Sequence, residues 1–206
     1  MQKNERKLEK EILGVLVFLV ALIVVYLIAS SLFRSFNSFT YEGLYFSKER
    51  LGEIPLFHYT YNFESKTGAI YKYNLYLRND PRTNDVPVEG GRIKFERPYT
   101  TFISINNTDL QQCETGTLAV GGLAKFLSDN QIPVKGANMD FWQAGANKQE
   151  WVTCENKPSN PVIEIFSGNV TEINIEHKCY RIKVADCRIL EAIEKFQLQS
   201  ILDAKS

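Results

Sequence analysis

Residues 12–33 read ILGVLVFLVALIVVYLIASSLF, an apolar run without a single charge that Glu11 and Arg34 bracket. An α-helix rises about 1.5 Å per residue, so a helix of this length would cross the roughly 30 Å hydrocarbon core of a bilayer. The run therefore predicts one transmembrane helix. The rest of the chain is then a domain tethered to one side of a lipid bilayer, which is the first expected partner.

Basic residues are distributed unevenly around this run. Those that precede it are Lys3, Arg6, Lys7 and Lys10, and only Arg34 follows it before Lys48. Segments rich in Lys and Arg stay in the cytoplasm. We therefore predict a cytoplasmic tail at residues 1–11, a retained cell-membrane anchor at residues 12–33 and an extracellular or periplasmic remainder. A cleaved signal peptide is the competing interpretation, although cleavable signals usually have an apolar core of only about 7–15 residues.

Charge balance and cysteine content narrow the classes of protein. The chain has 24 basic and 24 acidic residues, so it lacks the basic excess of a nucleic-acid-binding protein. All of its cysteines follow the apolar run: Cys113, Cys154, Cys179 and Cys187. An even number in an oxidising compartment predicts two disulfides, with free thiols as the main alternative. No Cys-x-x-Cys pair occurs and His58 and His177 are far apart, so we predict neither a metal nor a cofactor.

Two glycosylation sequons lie in the predicted exported region. They begin at Asn106 and Asn169. In a glycosylating host, both asparagines are expected at the surface of the domain.

The chain after the apolar run divides into a linker and a folded domain. Residues 34–53 have mixed character without a sustained period, which predicts a juxtamembrane stalk. Residues 54–206 are predicted to be one domain, because residues 54–105 hold too few strands to bury a core alone. Aromatic residues alternate at residues 58–63 and again at residues 71–78, which predicts a β-hairpin.

Further strand patterns follow, interrupted by two helical ones. Short apolar runs predict strands at residues 93–95, 99–105, 132–134, 151–153, 162–166, 171–175 and 180–184. Helical spacing predicts a helix of roughly four turns that ends near Asn130, with Asp109 or Thr115 as its N-cap, and a second helix from residue 186 to 204. The first contains Gly121 and Gly122, a costly pair that implies a close approach to the sheet or a break in the helix. The predicted fold class is α+β: one N-terminal transmembrane helix, then an exported, mostly antiparallel sheet domain with two main helices.

Strand geometry limits how the cysteines pair. A predicted strand separates Cys179 from Cys187, which would hold their Cα atoms about 26 Å apart, whereas a disulfide needs about 4.4–6.8 Å. Cys113 and Cys187 each follow a strand and open a helix, so parallel strands would place them at the same sheet end. Cys154 closes one strand and Cys179 opens another, as antiparallel neighbours would. We predict Cys113–Cys187 with Cys154–Cys179, and Cys113–Cys179 with Cys154–Cys187 as the alternative.

Cys113 also invites a functional interpretation. It precedes a helix, Pro161 leads into the strand at residues 162–166, and a turn, another strand and a last helix follow. This order of elements resembles that of thioredoxin-like folds. The resemblance implies an exported thiol oxidoreductase with Cys113 as the reactive thiol. The family's second active-site cysteine is absent, and the strand at residues 180–184 is additional, so a structural disulfide at Cys113 is the preferred interpretation.

The loop after the tyrosine-rich hairpin is the densest polar cluster of the exported part. Arg78, Asp80 and Arg82 lie there, beside Tyr76, which points opposite to the other tyrosines of its strand. Two arginines next to an exposed aromatic ring are able to bind a carboxylate, phosphate or sugar. The competing interpretation is that Asp80 and Pro81 make a turn and that Arg78 pairs with a neighbouring acid.

Catalytic signatures are absent from the sequence, including metalloprotease, phosphate-loop and nucleophile-elbow motifs. The leading hypothesis is therefore a membrane-anchored cell-surface or envelope protein whose domain serves as a non-enzymatic interaction or structural module. We expect its partner to be a protein at the membrane surface, and the oligomeric state stays open. An oxidoreductase using Cys113 and a small-ligand receptor using residues 78–82 are the alternatives.

Overall fold

The computed structural model describes residues 2–65, 67–96 and 98–205, with the backbone alone described for residues 2–12, 32–36, 107 and 109. Its first element is α1, Gln2–Asn37. Within α1, Leu13–Ser31 has a mean hydropathy of 2.9 and none of its residues is buried in the domain. This confirms one N-terminal helix that is long and apolar enough to span a membrane. A signal sequence has the same length and composition.

A four-stranded antiparallel sheet, which we call the first sheet, follows α1 directly. Its strands are β1 Ser38–Tyr41, β2 Leu44–Leu51, β3 Ile54–Glu64 and β4 Ile70–Leu77, in the spatial order β1-β2-β3-β4. The predicted stalk at residues 34–53 is therefore wrong, since most of it forms β1 and β2. Leu44 and Phe46 are buried on either side of exposed Tyr45. This alternation is short and lies next to charged residues, which hid it in the sequence.

The predicted tyrosine-rich hairpin is present as β3 and β4. Tyr59 lies opposite Leu75 and Tyr61 lies opposite Tyr73 in its register. The rings of Tyr61 and Tyr73 are 5.4 Å apart between centroids. Aromatic cross-strand pairs of this kind stabilise a sheet, and they fix the face of the hairpin that packs on the core.

A second, seven-stranded sheet forms the larger part of the domain. Its strands are β5 Val88–Gly90, β6 Thr101–Ile105, β7 Val134–Asn138, β8 Glu150–Trp151, β9 Val162–Ser167, β10 Glu172–Glu176 and β11 Cys179–Val184, in the order β5-β10-β11-β9-β6-β7-β8. Only β10 and β11 pair antiparallel. The α+β class is confirmed, but a mostly antiparallel sheet is wrong for this larger sheet. Residues 162–165 are buried on both faces, as strands of parallel sheets are.

The helices of the domain are α2 Asn107–Leu110, α3 Gly116–Asp129, α4 Phe141–Ala146 and α5 Ile189–Lys205. The two main ones, α3 and α5, lie side by side between the two sheets. On α5, the Phe196 ring meets the Tyr180 ring of β11 at 5.6 Å, while the Glu194 carboxylate reaches the end of β4. Because α5 contacts both layers, residues on two of its sides are buried, including the polar Glu194 and Gln197.

Two disulfides join these elements. The Sγ atoms of Cys113 and Cys187 are 2.06 Å apart, and those of Cys154 and Cys179 are 1.98 Å apart. These are the pairs that strand geometry predicts. For the first pair the reasoning also holds, because β6 and β11 both run parallel to β9 and end at the same sheet edge.

The reason given for the second pair is wrong. Strand β8 lies at the far edge of the second sheet and runs parallel to its neighbour. The chain then returns across the sheet face opposite to the helices, where Val152 is buried against Phe102, Ala137 and Val162. This return brings Cys154 to the start of β11.

Candidate binding groove beside the first sheet

An open groove of about 670 Å³ runs between β4, the β2–β3 hairpin tip and the two main helices. We call it the edge groove. Its apolar lining comes from Leu51, Leu56, Tyr76, Leu118 and Leu190. Leu51 is 68 % exposed and Leu118 is 50 % exposed, so this apolar surface is in contact with solvent. Contiguous exposed apolar surface is typical of interaction sites rather than of ordinary protein surface.

Strand β4 contributes a free backbone edge to the groove. It pairs only with β3, and its other side has no strand neighbour among the described residues. Every second residue of such a strand presents its N–H and C=O to the open side. The strand is eight residues long, and it begins at Ile70, which is 76 % exposed. A long exposed edge of this composition is a template for an additional strand.

Helix α3 forms the opposite wall of the groove. Its two adjacent glycines, Gly121 and Gly122, have no role within the helix itself. Gly122 lines the groove, and a Cβ added at Gly121 or Gly122 would have no atom within 4 Å. The helix also continues unbroken through both residues. Neither reason suggested by the sequence, a close approach to the sheet or a break, therefore accounts for the pair. The absence of a side chain at Gly122 leaves space in the groove between Leu118 and Lys125.

The outer side of β4 carries a polar and aromatic network. The His58 ring stacks on the Tyr76 ring at 4.4 Å between centroids. His58 Nδ1 lies 2.6 Å from Glu49 Oε1, and its Nε2 lies 3.1 Å from Asn74 Oδ1. Tyr73, on the inner side, packs against α3, and burial raises the pKa of its hydroxyl to about 12. These contacts hold the β4 side chains in fixed positions along the groove.

Glu194 fastens the end of β4 to α5. Its carboxylate accepts hydrogen bonds from the backbone N–H groups of Arg78 and Asn79, at 2.6 and 3.0 Å, and from Asn79 Nδ2 at 2.8 Å. Burial raises the pKa of Glu194 above its ordinary value, although these donors oppose the shift. The carboxylate thus fixes the position of the strand end that carries Arg78.

The structure divides the predicted ligand loop into two parts. Tyr76 and Arg78 line the edge groove. Asp80 and Arg82 instead pair with each other through two side-chain hydrogen bonds of 3.0 and 2.6 Å, which lower the pKa of Asp80. The Arg82 guanidinium also lies 4.0 Å from the centre of the Phe39 ring. Asp80 thus lies in a turn, as the competing interpretation has it, but the arginine that pairs with it is Arg82 and not Arg78. Asp80 and Arg82 do not line the groove with Tyr76.

Three basic and two acidic residues line the groove. Arg50, Arg78 and Lys125 line it. Of the acidic residues that line it, Glu49 already contacts His58 and Glu194 is buried under its donors. Lys125 forms an exposed pair with Asp129, which is worth little in water. The edge groove therefore combines apolar walls with available cations.

Other surfaces of the domain are less complete as sites. A second cleft, of about 840 Å³, lies between β3, residues 93–96 and the ends of both main helices, with mixed charges around it. An aromatic cluster of Phe141, Trp142 and Trp151 lies beside β8, with Trp142 80 % exposed. Within the part of the chain that the structure describes, neither surface combines apolar walls with a long free strand edge.

All four cysteines form disulfides, which leaves no free thiol for the predicted oxidoreductase. Every cysteine is bonded, and Cys113 is buried. Cys113 follows the carboxyl end of β6, whereas Pro161 lies beside Phe102 at the start of that strand, at the opposite sheet edge. The thioredoxin-like order therefore does not bring the cysteine and the proline together. Among described residues, the one group with metal-ligand spacing is Cys154, Glu164 and Cys179, and its sulfurs are joined to each other.

The sequons occupy different environments. Asn169 is exposed, whereas Asn106 is half-buried and its Oδ1 accepts hydrogen bonds from Thr108. Their glycosylation stays a prediction. Comparisons with protein-family models, with curated proteins and with solved structures found no match.

Proposed function

We propose that this chain is a membrane-anchored protein whose exported domain is a non-enzymatic interaction module, and that the edge groove is its contact with a protein partner at the membrane surface. The anchor is α1, with its N-terminal end in the cytoplasm, as the basic residues before the apolar run favour. Two disulfides agree with an oxidising compartment outside the cytoplasm.

The observation that carries this proposal is the free edge of β4 beside exposed apolar side chains. Soluble proteins usually protect long edge strands with charges, prolines or a covering element. The sequence of β4, IYKYNLYL, has one charge, at Lys72. An edge of this kind is unfavourable unless a partner covers it, and Leu118 and Tyr76 extend the same surface.

The two alternative functions have less support. An oxidoreductase would have to use Cys113, whose sulfur is buried in a disulfide. A small-ligand receptor built on residues 78–82 would have to break the Asp80–Arg82 pair, which occupies both charges.

Site-specific photo-cross-linking in intact cells tests the proposal. A photoreactive residue at position 118 is expected to give an adduct with a membrane-surface protein, and one at Tyr99, which is exposed but does not line the groove, is expected to give none. Protease added outside the cells should remove the domain and leave residues 1–11 protected. Equal adducts at both positions, an adduct only at position 99, or the reverse protease pattern would contradict it.

A further inference from the structure

We propose that the partner enters the edge groove as an extended peptide segment, which adds a strand to β4 and carries acidic side chains between apolar ones. This inference rests on the proposed function and names the chemistry of the segment that the groove accepts. Strand addition is a recurring mode of peptide recognition in which backbone hydrogen bonds supply affinity and alternate side chains supply specificity.

The length and shape of the groove favour an extended segment over a helix. Strand β4 has eight residues, and a strand rises about 3.3 Å per residue, so a guest of similar length is able to pair along the whole edge. Alternate side chains of the guest would face α3. There they would meet Leu118 and then the open space at Gly122, where a Cβ would have no neighbouring atom within 4 Å. Glycine at this position keeps room for a guest side chain at the expense of helix propensity.

The charge of the groove favours an acidic guest. Arg50, Arg78 and Lys125 line it, and Lys72 lies on β4 itself. The groove's own carboxylates, on Glu49 and Glu194, already have polar partners. If the apolar positions of the guest face α3, its acidic positions face the side of the sheet that carries Lys72. There they would be attracted to the cations on that side, and basic side chains would be repelled.

The same charges argue against a second copy of this chain as the occupant. Isologous pairing of β4 with its own copy would bring a second Lys72 and a second Arg78 to a groove that is already cationic. Strand β4 has no acidic residue to offset them. A partner with a different, acidic strand is the better complement.

The test uses the full chain in nanodiscs with two blocked octapeptides, one that alternates glutamate with valine and one that alternates lysine with valine. We expect the glutamate peptide to bind and to slow hydrogen exchange of the β4 amides that do not bond to β3. The lysine peptide should bind at least about tenfold more weakly, a difference of about 1.4 kcal/mol. Equal binding of both peptides, or binding without protection of residues 70–77, would overturn the inference.

Two matched variants test the role of the glycine. Gly122→Leu should weaken binding of the glutamate peptide at least about tenfold, and Gly121→Leu, on the same helix but outside the groove lining, should leave it unchanged. An equal effect of both variants would contradict the inference. If the chain instead dimerises with protection of β4, a second copy is the occupant and the inference fails. If the position-118 adduct persists while neither peptide binds, strand addition fails and the proposed function stands.

Discussion

Glu194→Gln is the substitution whose effect the structure specifies best. Glu194 is 5 % exposed, and three N–H groups from Arg78 and Asn79 donate to its carboxylate. A glutamine has one accepting oxygen. If that oxygen keeps both Asn79 donors, the new NH₂ group faces the Arg78 N–H, and this buried donor loses its partner. A hydrogen bond to a charged group is worth about 1.5–3 kcal/mol, which is the expected loss in free energy of unfolding.

Chemical denaturation at neutral pH measures this loss, and thermal melting should show about 2–4 °C per kcal/mol. Glu191→Gln is the control, because Glu191 lies on the same helix and only joins a surface pair with Arg188; its expected loss is about 0–1 kcal/mol. If Glu194→Gln leaves the free energy of unfolding unchanged, this carboxylate does not hold the end of β4 to α5, and the assignment is refuted.

The pH dependence has a defined sign. Burial raises the pKa of Glu194 above its ordinary value of 4.5, so the folded state holds the proton more tightly than the unfolded state does. The stability that this group contributes is therefore fully present below about pH 4.5 and is lost as the pH rises through the raised pKa. Subtracting the stability curve of Glu194→Gln from that of the wild type should isolate this trend, and a difference that grows with pH would contradict it.

Further substitutions test the core, the face of the second sheet opposite to the helices, and the Cys154–Cys179 disulfide. Phe46→Ala should cost about 3–5 kcal/mol in denaturant unfolding because Phe46 is fully buried, whereas Tyr45→Ala should cost under about 0.5 kcal/mol. Arg181→Met should cost about 3–5 kcal/mol, since buried Glu164 loses the guanidinium bonded to it at 3.1 Å. Replacing Cys154 and Cys179 together by serine should cost about 3 kcal/mol relative to the oxidised wild type. Losses below about 1 kcal/mol in any of these three tests would contradict the packing described.

Local patterns were sufficient to predict part of this fold. The alternating tyrosines identified β3 and β4, and helical spacing identified α3 and α5. The apolar helix was evident from composition alone. Each of these predictions depends on residues close together in the sequence, where side-chain periodicity directly reflects which face is buried.

The direction of the larger sheet could not be predicted in this way. The apolar residues at 162–166 and 171–175 would suit a parallel or an antiparallel sheet equally well. The direction of each strand depends on the path of the chain between strands. The Cys154–Cys179 pair illustrates the limit, because the prediction agreed with the structure although its stated reason did not. The return of residues 152–160 across the sheet is a long-range event without a local signal.

The edge groove was missed for a related reason. Its walls come from β2, β4, α3 and α5, which are distant in sequence. One signal was present: Gly121 and Gly122 inside a helix, without a local role. The sequence suggested intramolecular reasons for the pair, whereas the structure leaves open space at both positions. Unexplained glycines on an exposed helix face are thus a usable indication of a surface that accommodates something else.

The path of residues 152–160 makes the covering of one face of the larger sheet depend on a single covalent bond. These residues, rather than helices, cover the second face of the larger sheet, and the Cys154–Cys179 bond secures them. A chain kept among cellular reductants would lack that bond, and its Val152 and Val162 would be exposed more often. The disulfide therefore determines how durably this face of the sheet stays covered, and a reducing environment removes that protection.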